Sequence, residues 1–234
     1  MCVIICCDKK FPSKETIINA EQMNKHGGGI AWVSGDKVHY KKNLDAKEMM
    51  KVIKNEARLP AIVHFRIASV GHIVPELCHP FPIEDGVTTK LHGITDKVLF
   101  HNGTWDSWKD TLLQSLISTN KKLPKGYWSD SRAMAYIANE HDESVLNLVD
   151  GKIAVLSVKG IKKYGSGWVD VDKNSCSNNY FIPSTITDKT SYSSIASLYK
   201  EYGIEKENEN DEYESMYNRQ SKLTDDDTYY RMWS

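Results

Sequence analysis

The sequence predicts a mixed α+β layered domain over residues 1–185, followed by a polar extension over 186–234. Three observations predict this. Short β-branched apolar runs and segments of 3.6-residue period occur in groups, not as a regular strand–helix–strand series. Glycine, asparagine and proline stand at several of the junctions between them. After Pro183 the composition shifts to Ser, Thr, Glu, Asp, Asn and Tyr, too polar to build a second core.

The elements follow in order. Cys2–Cys7 reads as a buried strand stopped by Asp8-Lys9-Lys10. Ser13 is placed to cap a helix over Lys14–Lys25. His26-Gly27-Gly28-Gly29 breaks that helix and leads into a strand at Ile30–Val33, which turns at Ser34-Gly35-Asp36 and returns through Val38-His39-Tyr40. Asp45 and Glu48 have capping-box spacing before an amphipathic helix carrying Met49, Val52, Ile53 and Ala57. Ala61–Arg66 is a further apolar strand. The stretch containing Pro75, Pro80 and Pro82 is expected to be irregular. Strands are expected at Thr88–His92 and Lys97–His101, the second ended by Asn102-Gly103. Helices follow through Trp108, Leu112, Leu113 and Leu116, and from Ser129 or Asp130 through Ala133, Met134, Ile137 and Ala138. Lys152–Val158, Trp168–Val171 and Tyr180–Ile182 read as late strands, and Ser194–Tyr202 carries a helical stripe.

Bulk properties exclude several classes. Hydrophobic content of 40% and charged content of 26% are ordinary for a soluble globular chain. A net charge of −1 gives no overall basicity for nucleic acid. The charge is uneven: residues 201–234 hold ten Asp or Glu against four Lys or Arg. That acidic segment also carries Tyr202, Tyr213, Tyr217, Tyr229, Tyr230 and Trp233, and reads either as a frayed terminus or as a segment that docks on the domain or a partner. Five cysteines without paired spacing point to a reducing, cytoplasmic compartment. No apolar run approaches the roughly 18 residues of a membrane span, and the apolar start lacks the basic flank of a signal peptide. Three consecutive glycines without a following Lys-Ser pair argue against a phosphate loop. Cys2, Cys6, Cys7, Cys78 and His79 lack Cys-x-x-Cys spacing, which argues against zinc, so no cofactor or metal is expected.

Five residues carry candidate chemistry. If a methionine aminopeptidase removes Met1, Cys2 holds both a thiol and an α-amine. Such an amine titrates near pH 7.7–8, so one residue supplies nucleophile and base. The alternative is that Cys2 merely begins a buried strand. Arg66 ends an apolar strand, where a guanidinium can grip a carboxylate through two parallel bonds or simply form a surface ion pair. Asn102-Gly103 is either a turn or a pair of oxyanion donors, the asparagine NH₂ and a glycine backbone N–H that the missing Cβ leaves approachable. Asp130 within Ser129-Asp130-Ser131 is either part of a helix cap or a carboxylate for an ammonium group.

Taken together and in order, Cys2, Asn24–Gly29, Arg66 within His-Phe-Arg-Ile-Ala-Ser, His79-Pro80-Phe81, His101-Asn102-Gly103 and Ser129-Asp130-Ser131 resemble the motifs of class II glutamine amidotransferases, a group of N-terminal nucleophile hydrolases. The resemblance covers residues 2–140 or so, with Gly167-Trp168 and Ser177-Asn178 similar to later parts of single-domain members. It departs at Val3, where glycine is common, at His26, where aspartate is common, and at Leu77, where asparagine is common.

The resemblance implies a four-layer αββα sandwich and a glutaminase reaction. Cys2 would attack the side-chain amide of glutamine or a γ-glutamyl compound. Asn102 and Gly103 would stabilise the oxyanion. Arg66 would hold the substrate α-carboxylate and Asp130 its α-ammonium. The chain is too short in apolar residues after 185 for a synthase domain, so an ammonia-accepting partner enzyme on a separate chain, or stand-alone amidase activity, is implied. A catalytically degenerate member acting as a binding or structural subunit is the alternative.

Overall fold

Strand β1, Val3–Cys7, is buried along its whole length, as its β-branched and cysteine side chains demand. It belongs to a computed structural model that describes residues 2–68 and 72–182. The expected helix at 194–202 and the acidic extension lie outside the described residues. After β1 come helix α1 (Lys14–Met23), strands β2 (Gly28–Ser34) and β3 (Lys37–Leu44), helix α2 (Ala46–Asn55) and strand β4 (Ala61–Phe65). Next are strands β5 (Phe81–Pro82), β6 (His92–Thr95) and β7 (Lys97–Asn102), then helices α3 (Trp108–Thr119) and α4 (Asp130–His141). Strands β8 (Lys152–Ser157), β9 (Gly160–Tyr164), β10 (Val169–Val171) and β11 (Asn174–Cys176) complete the described chain.

These strands form two antiparallel sheets. The larger has the order β10-β11-β1-β4-β2-β3-β6 and the smaller β5-β7-β8-β9. Side-chain alternation sorts their residues into two cores. Ile4, Cys6, Ala31, Val38, Tyr40 and Ile62 of the large sheet pack against Val98, Phe100, Ala154 and Leu156 of the small one. From the opposite face of the small sheet, Leu99, Ile153 and Val155 pack with Trp108, Leu112, Met134 and Ile137 of α3 and α4. Helices α1 and α2 contact each other, and α2 lies against β2 and β3. The architecture is therefore mixed α and β, with antiparallel sheets and few helices.

Local chemistry explains the helix starts. Ser13 accepts the Thr16 N–H at 3.1 Å. Asp45 and Glu48 form a reciprocal capping box, with bonds of 2.7 and 3.0 Å. Ser129 caps α4 through the Arg132 N–H.

Three expectations are corrected and two strands are added. The strand read at Thr88–His92 instead spans His92–Thr95, because the Thr88 hydroxyl accepts the Lys90 N–H and folds that segment locally. Tyr180–Ile182 is not a strand. Asn178 Oδ1 accepts the Tyr180 N–H at 3.3 Å, a local turn that diverts an amide a ladder would need. The proline-rich stretch is not wholly irregular: Pro75–Leu77 is a 3-10 turn and Pro82 sits in β5. As an edge strand, β5 tolerates a missing ladder donor. Finally, β9 and β11 were not foreseen. β11 is three residues, Asn-Ser-Cys, with no apolar period, and is held by backbone pairing to β1 and β10.

Candidate functional site

The register of β1 against β4 pairs Val3 with Phe65. The residue before β1 therefore meets the residues after β4. Cys2 Sγ donates to the Ile67 carbonyl at 3.3 Å and accepts the Ile67 N–H at 3.4 Å. Asn178 Nδ2 donates to the Cys2 carbonyl at 2.7 Å. The nucleophile candidate is thus gripped at its side chain and its backbone. Burial pushes the Cys2 thiol pKa up. The Ile67 backbone contact and the Arg66 guanidinium oppose that shift, and the Asp130 charge adds to it. A thiol so placed is protonated at neutral pH and needs a base to become a nucleophile.

Arg66 is 4% exposed, not the surface arginine that a lone reading favours. Its backbone continues the pairing beyond β4, donating to the Gly27 carbonyl and accepting the His26 N–H, both at 2.9 Å. Its Nη2 donates to the His72 carbonyl at 3.1 Å, while Nη1 is buried without a hydrogen-bond partner among the described residues. Beside it, His26 Nδ1 accepts the Ala68 N–H at 2.9 Å. Burial and the Arg66 charge push the His26 pKa down. Gly29 lies within β2 rather than in a turn, and a Cβ there would stand 1.8 Å from the His79 carbonyl oxygen. Glycine lets the strand pass against that loop.

Asn102 closes β7. Its Nδ2 donates to Ser177 Oγ at 2.8 Å. One amide hydrogen is thereby engaged and the second remains for another acceptor. Gly103 follows, and a Cβ on it would lie 2.9 Å from His101 Nε2 and 3.0 Å from Gly151 Cα. The glycine is demanded by that close approach.

Asp130 opens α4, one residue past the cap Ser129. Its Oδ1 accepts from Ser131 N–H at 2.8 Å and from the Ser131 hydroxyl at 3.3 Å. Its Oδ2 accepts the Trp105 N–H at 3.2 Å. That last bond ties the helix to the loop after Gly103. His101 Nδ1 stands 3.1 Å from Ser131 Oγ and 3.7 Å from Asp130 Oδ2. Burial pushes the His101 pKa down more than Asp130 raises it, so the contact is between a neutral ring and a carboxylate. A carboxylate offers about four lone-pair positions, so Asp130 keeps capacity for one further donor.

The five residues singled out in the sequence are thus linked. Cys2 and Arg66 meet through Ile67, Cys2 and Asn102 through Asn178 and Ser177, and Gly103 and Asp130 through Trp105. Ile67, Ser177, Asn178 and Trp105 were not among the candidates. Ser177-Asn178 stood in the sequence only as a similarity to later parts of single-domain members, and Ile67 only as part of the motif around Arg66. Among the described residues, no group of three or more His, Cys, Asp or Glu is arranged to hold a metal ion. No described helix is long and apolar enough to cross a membrane.

No family model and no curated protein sequence matches the chain. Among solved structures it is similar to one described as the allosteric regulatory enzyme of purine biosynthesis. That match has 17% identity and a TM-score of 0.46, over 70% of this chain and 35% of the other. It is also similar to the glutamine phosphoribosylpyrophosphate amidotransferase from B. subtilis complexed with ADP and GMP. Here the identity is 16% and the TM-score 0.42, over 67% of this chain and 34% of the other. The chain spans about a third of the length of these two structures.

Proposed function

We propose that this chain hydrolyses the side-chain amide of glutamine, or of a γ-glutamyl compound, with Cys2 as nucleophile. The released ammonia would pass to an acceptor on a separate protein. The single observation that carries the reading is electrostatic. One thiol lies where a buried guanidinium, its Nη1 without a hydrogen-bond partner among the described residues, and a buried carboxylate both act on it. That pairing suits a substrate bearing a carboxylate and an ammonium at one end. The reading includes the four-layer αββα arrangement. It is supported by α2 lying on the large sheet and by α3 and α4 packing on the small one.

Loss of Met1 is part of the proposal, because the protonated thiol needs a base and the freed α-amine of Cys2 would be one. The amine takes the thiol proton as Sγ bonds to the amide carbon. Asn102 Nδ2 and the Gly103 N–H donate to the oxyanion. The amine then returns the proton to the departing nitrogen, the C–N bond breaks and ammonia leaves a glutamyl thioester. Water hydrolyses the thioester, releasing glutamate and restoring the thiol. Arg66 Nη1 binds the substrate α-carboxylate and Asp130 its α-ammonium.

Intact mass spectrometry before and after treatment with a diazoketone analogue of glutamine tests this. The expected result is a mass lacking Met1 and one adduct, on Cys2. A protein that retains Met1 and takes no adduct overturns the assignment.

A further inference from the structure

The hydroxyl of Ser177 joins two strands that belong to two different sheets. Its Oγ accepts the Ile4 N–H of β1 at 2.9 Å and the Asn102 Nδ2–H of β7 at 2.8 Å. The Ser177 N–H donates to the Ile4 carbonyl at 2.9 Å, continuing the β1–β11 ladder one residue past Cys176. The Ser177 carbonyl takes the ammonium of Lys152, the residue paired with Asn102 across β7 and β8. The next residue, Asn178, donates to the Cys2 carbonyl. Ser177 is 1% exposed, so water does not compete for these bonds. A serine hydroxyl accepts at most two hydrogen bonds, and here both go to the strands that carry the nucleophile and the oxyanion donor.

We infer that Ser177 is a positioning residue. It holds the Asn102 amide by one N–H so that the other faces the carbonyl under attack at Cys2. The inference rests on the function proposed above. An asparagine side chain has two freely rotating bonds and an amide that can sit either way round. A fixed acceptor on one side removes that freedom, and an oxyanion donor works only when it is preset where charge develops. Asn178 does the complementary task on the nucleophile's backbone. The sheet carrying Cys2 and the sheet carrying Asn102 are in this way set relative to each other at the reacting atoms by one side chain.

A double-mutant cycle on the full chain tests this, with ammonia release from glutamine as the readout. Ser177→Ala is expected to lower kcat roughly ten- to a hundredfold with KM within about twofold, because the lost interaction serves the transition state. In an Asn102→Ala background the same substitution should cost less than about threefold, since nothing is left to orient. Alkylation of Cys2 by iodoacetamide, which forms no oxyanion, should keep its rate in Ser177→Ala. Ser177→Cys, which fills the same space with a weak acceptor, must show the same kcat loss, and serves if the alanine variant does not fold. Penalties that multiply in the double variant, or a rise in KM alone, overturn the inference and leave the proposed function standing. A wild-type protein lacking Met1 that releases no ammonia overturns the proposed function and this inference together.

Discussion

Two polar clusters lie within this fold, and they are built on opposite principles. At the strand ends and the start of α4, Cys2, Asn102, Asp130, Ser131 and Ser177 each have named hydrogen-bond partners, many of them backbone amides. Between the sheets, His64 and His79 are buried with ring centroids 4.1 Å apart and with no aligned partner for any ring nitrogen among the described residues. Both lie beside Phe100. The first cluster holds its polar groups by hydrogen bonds; the second tolerates them only as neutral rings. Burial, with the Arg66 charge, lowers the His64 pKa to about 3, the His101 backbone opposing. Burial likewise pushes His79 down, helped by the Arg66 and Lys42 cations. One cluster holds the proposed reacting groups and the other places a limit on acid stability.

The comparison can be broken in order of expected effect. Cys2→Ala should reduce ammonia release from glutamine to background while leaving the thermal midpoint nearly unchanged. Retained glutaminase activity would show that the reacting group lies elsewhere. Next is the acid limb. In the unfolded chain His64 takes up its proton near pH 6.5, in the native state only near 3. Its contribution is therefore present above pH 6.5 and is lost as pH falls through that window. At about 1.4 kcal/mol per unit, the loss is on the order of 5 kcal/mol. Urea midpoints at pH 7, 5 and 4 should fall steeply in the wild type and less in His64→Leu. Parallel curves would mean that other groups set the acid limit.

Third, Asn102→Ala should lower kcat by about 10²–10³ with a small change in KM, the usual consequence of losing one oxyanion donor. An effect on KM alone would make Asn102 a binding group. Last, Asp130→Asn keeps the shape of the side chain but removes its charge. It should raise KM for glutamine about ten- to a hundredfold, as a charged hydrogen bond of roughly 1.5–3 kcal/mol would, and change kcat less. Measuring both constants distinguishes a substrate-binding carboxylate from one that only caps α4.

Legibility in the sequence followed the range of the forces involved. Helix starts rest on side chains three residues from the amides they cap, so Ser13 and Asp45 were readable directly. β1 and β7 were readable because a continuous apolar run suits a strand buried on both faces. β11 was not, because Asn174-Ser175-Cys176 has no pattern and exists through backbone bonds to β1. The chemical types at the site were readable too, but not their attachments. Taken singly, Arg66 reads as a surface ion-pair partner and Asn102-Gly103 as a turn; their order with the other motifs made them candidates, while the burial of Arg66 and the bond from Asn102 to Ser177 depend on the packed sheets.

From the sequence come the candidate reacting groups, the helix starts and the buried strands β1, β4 and β7, because these depend on side-chain chemistry and local spacing. Tertiary packing brings Ile67 to Cys2 across 65 residues, Ser177 to Asn102 across 75 and Asn178 to Cys2 across 176. Those contacts follow from the register of β1 against β4 and β11 and from the packing of one sheet on the other. Register and packing are set by the joint burial of Ile4, Ile62, Val98 and Phe100, which no short window of sequence contains.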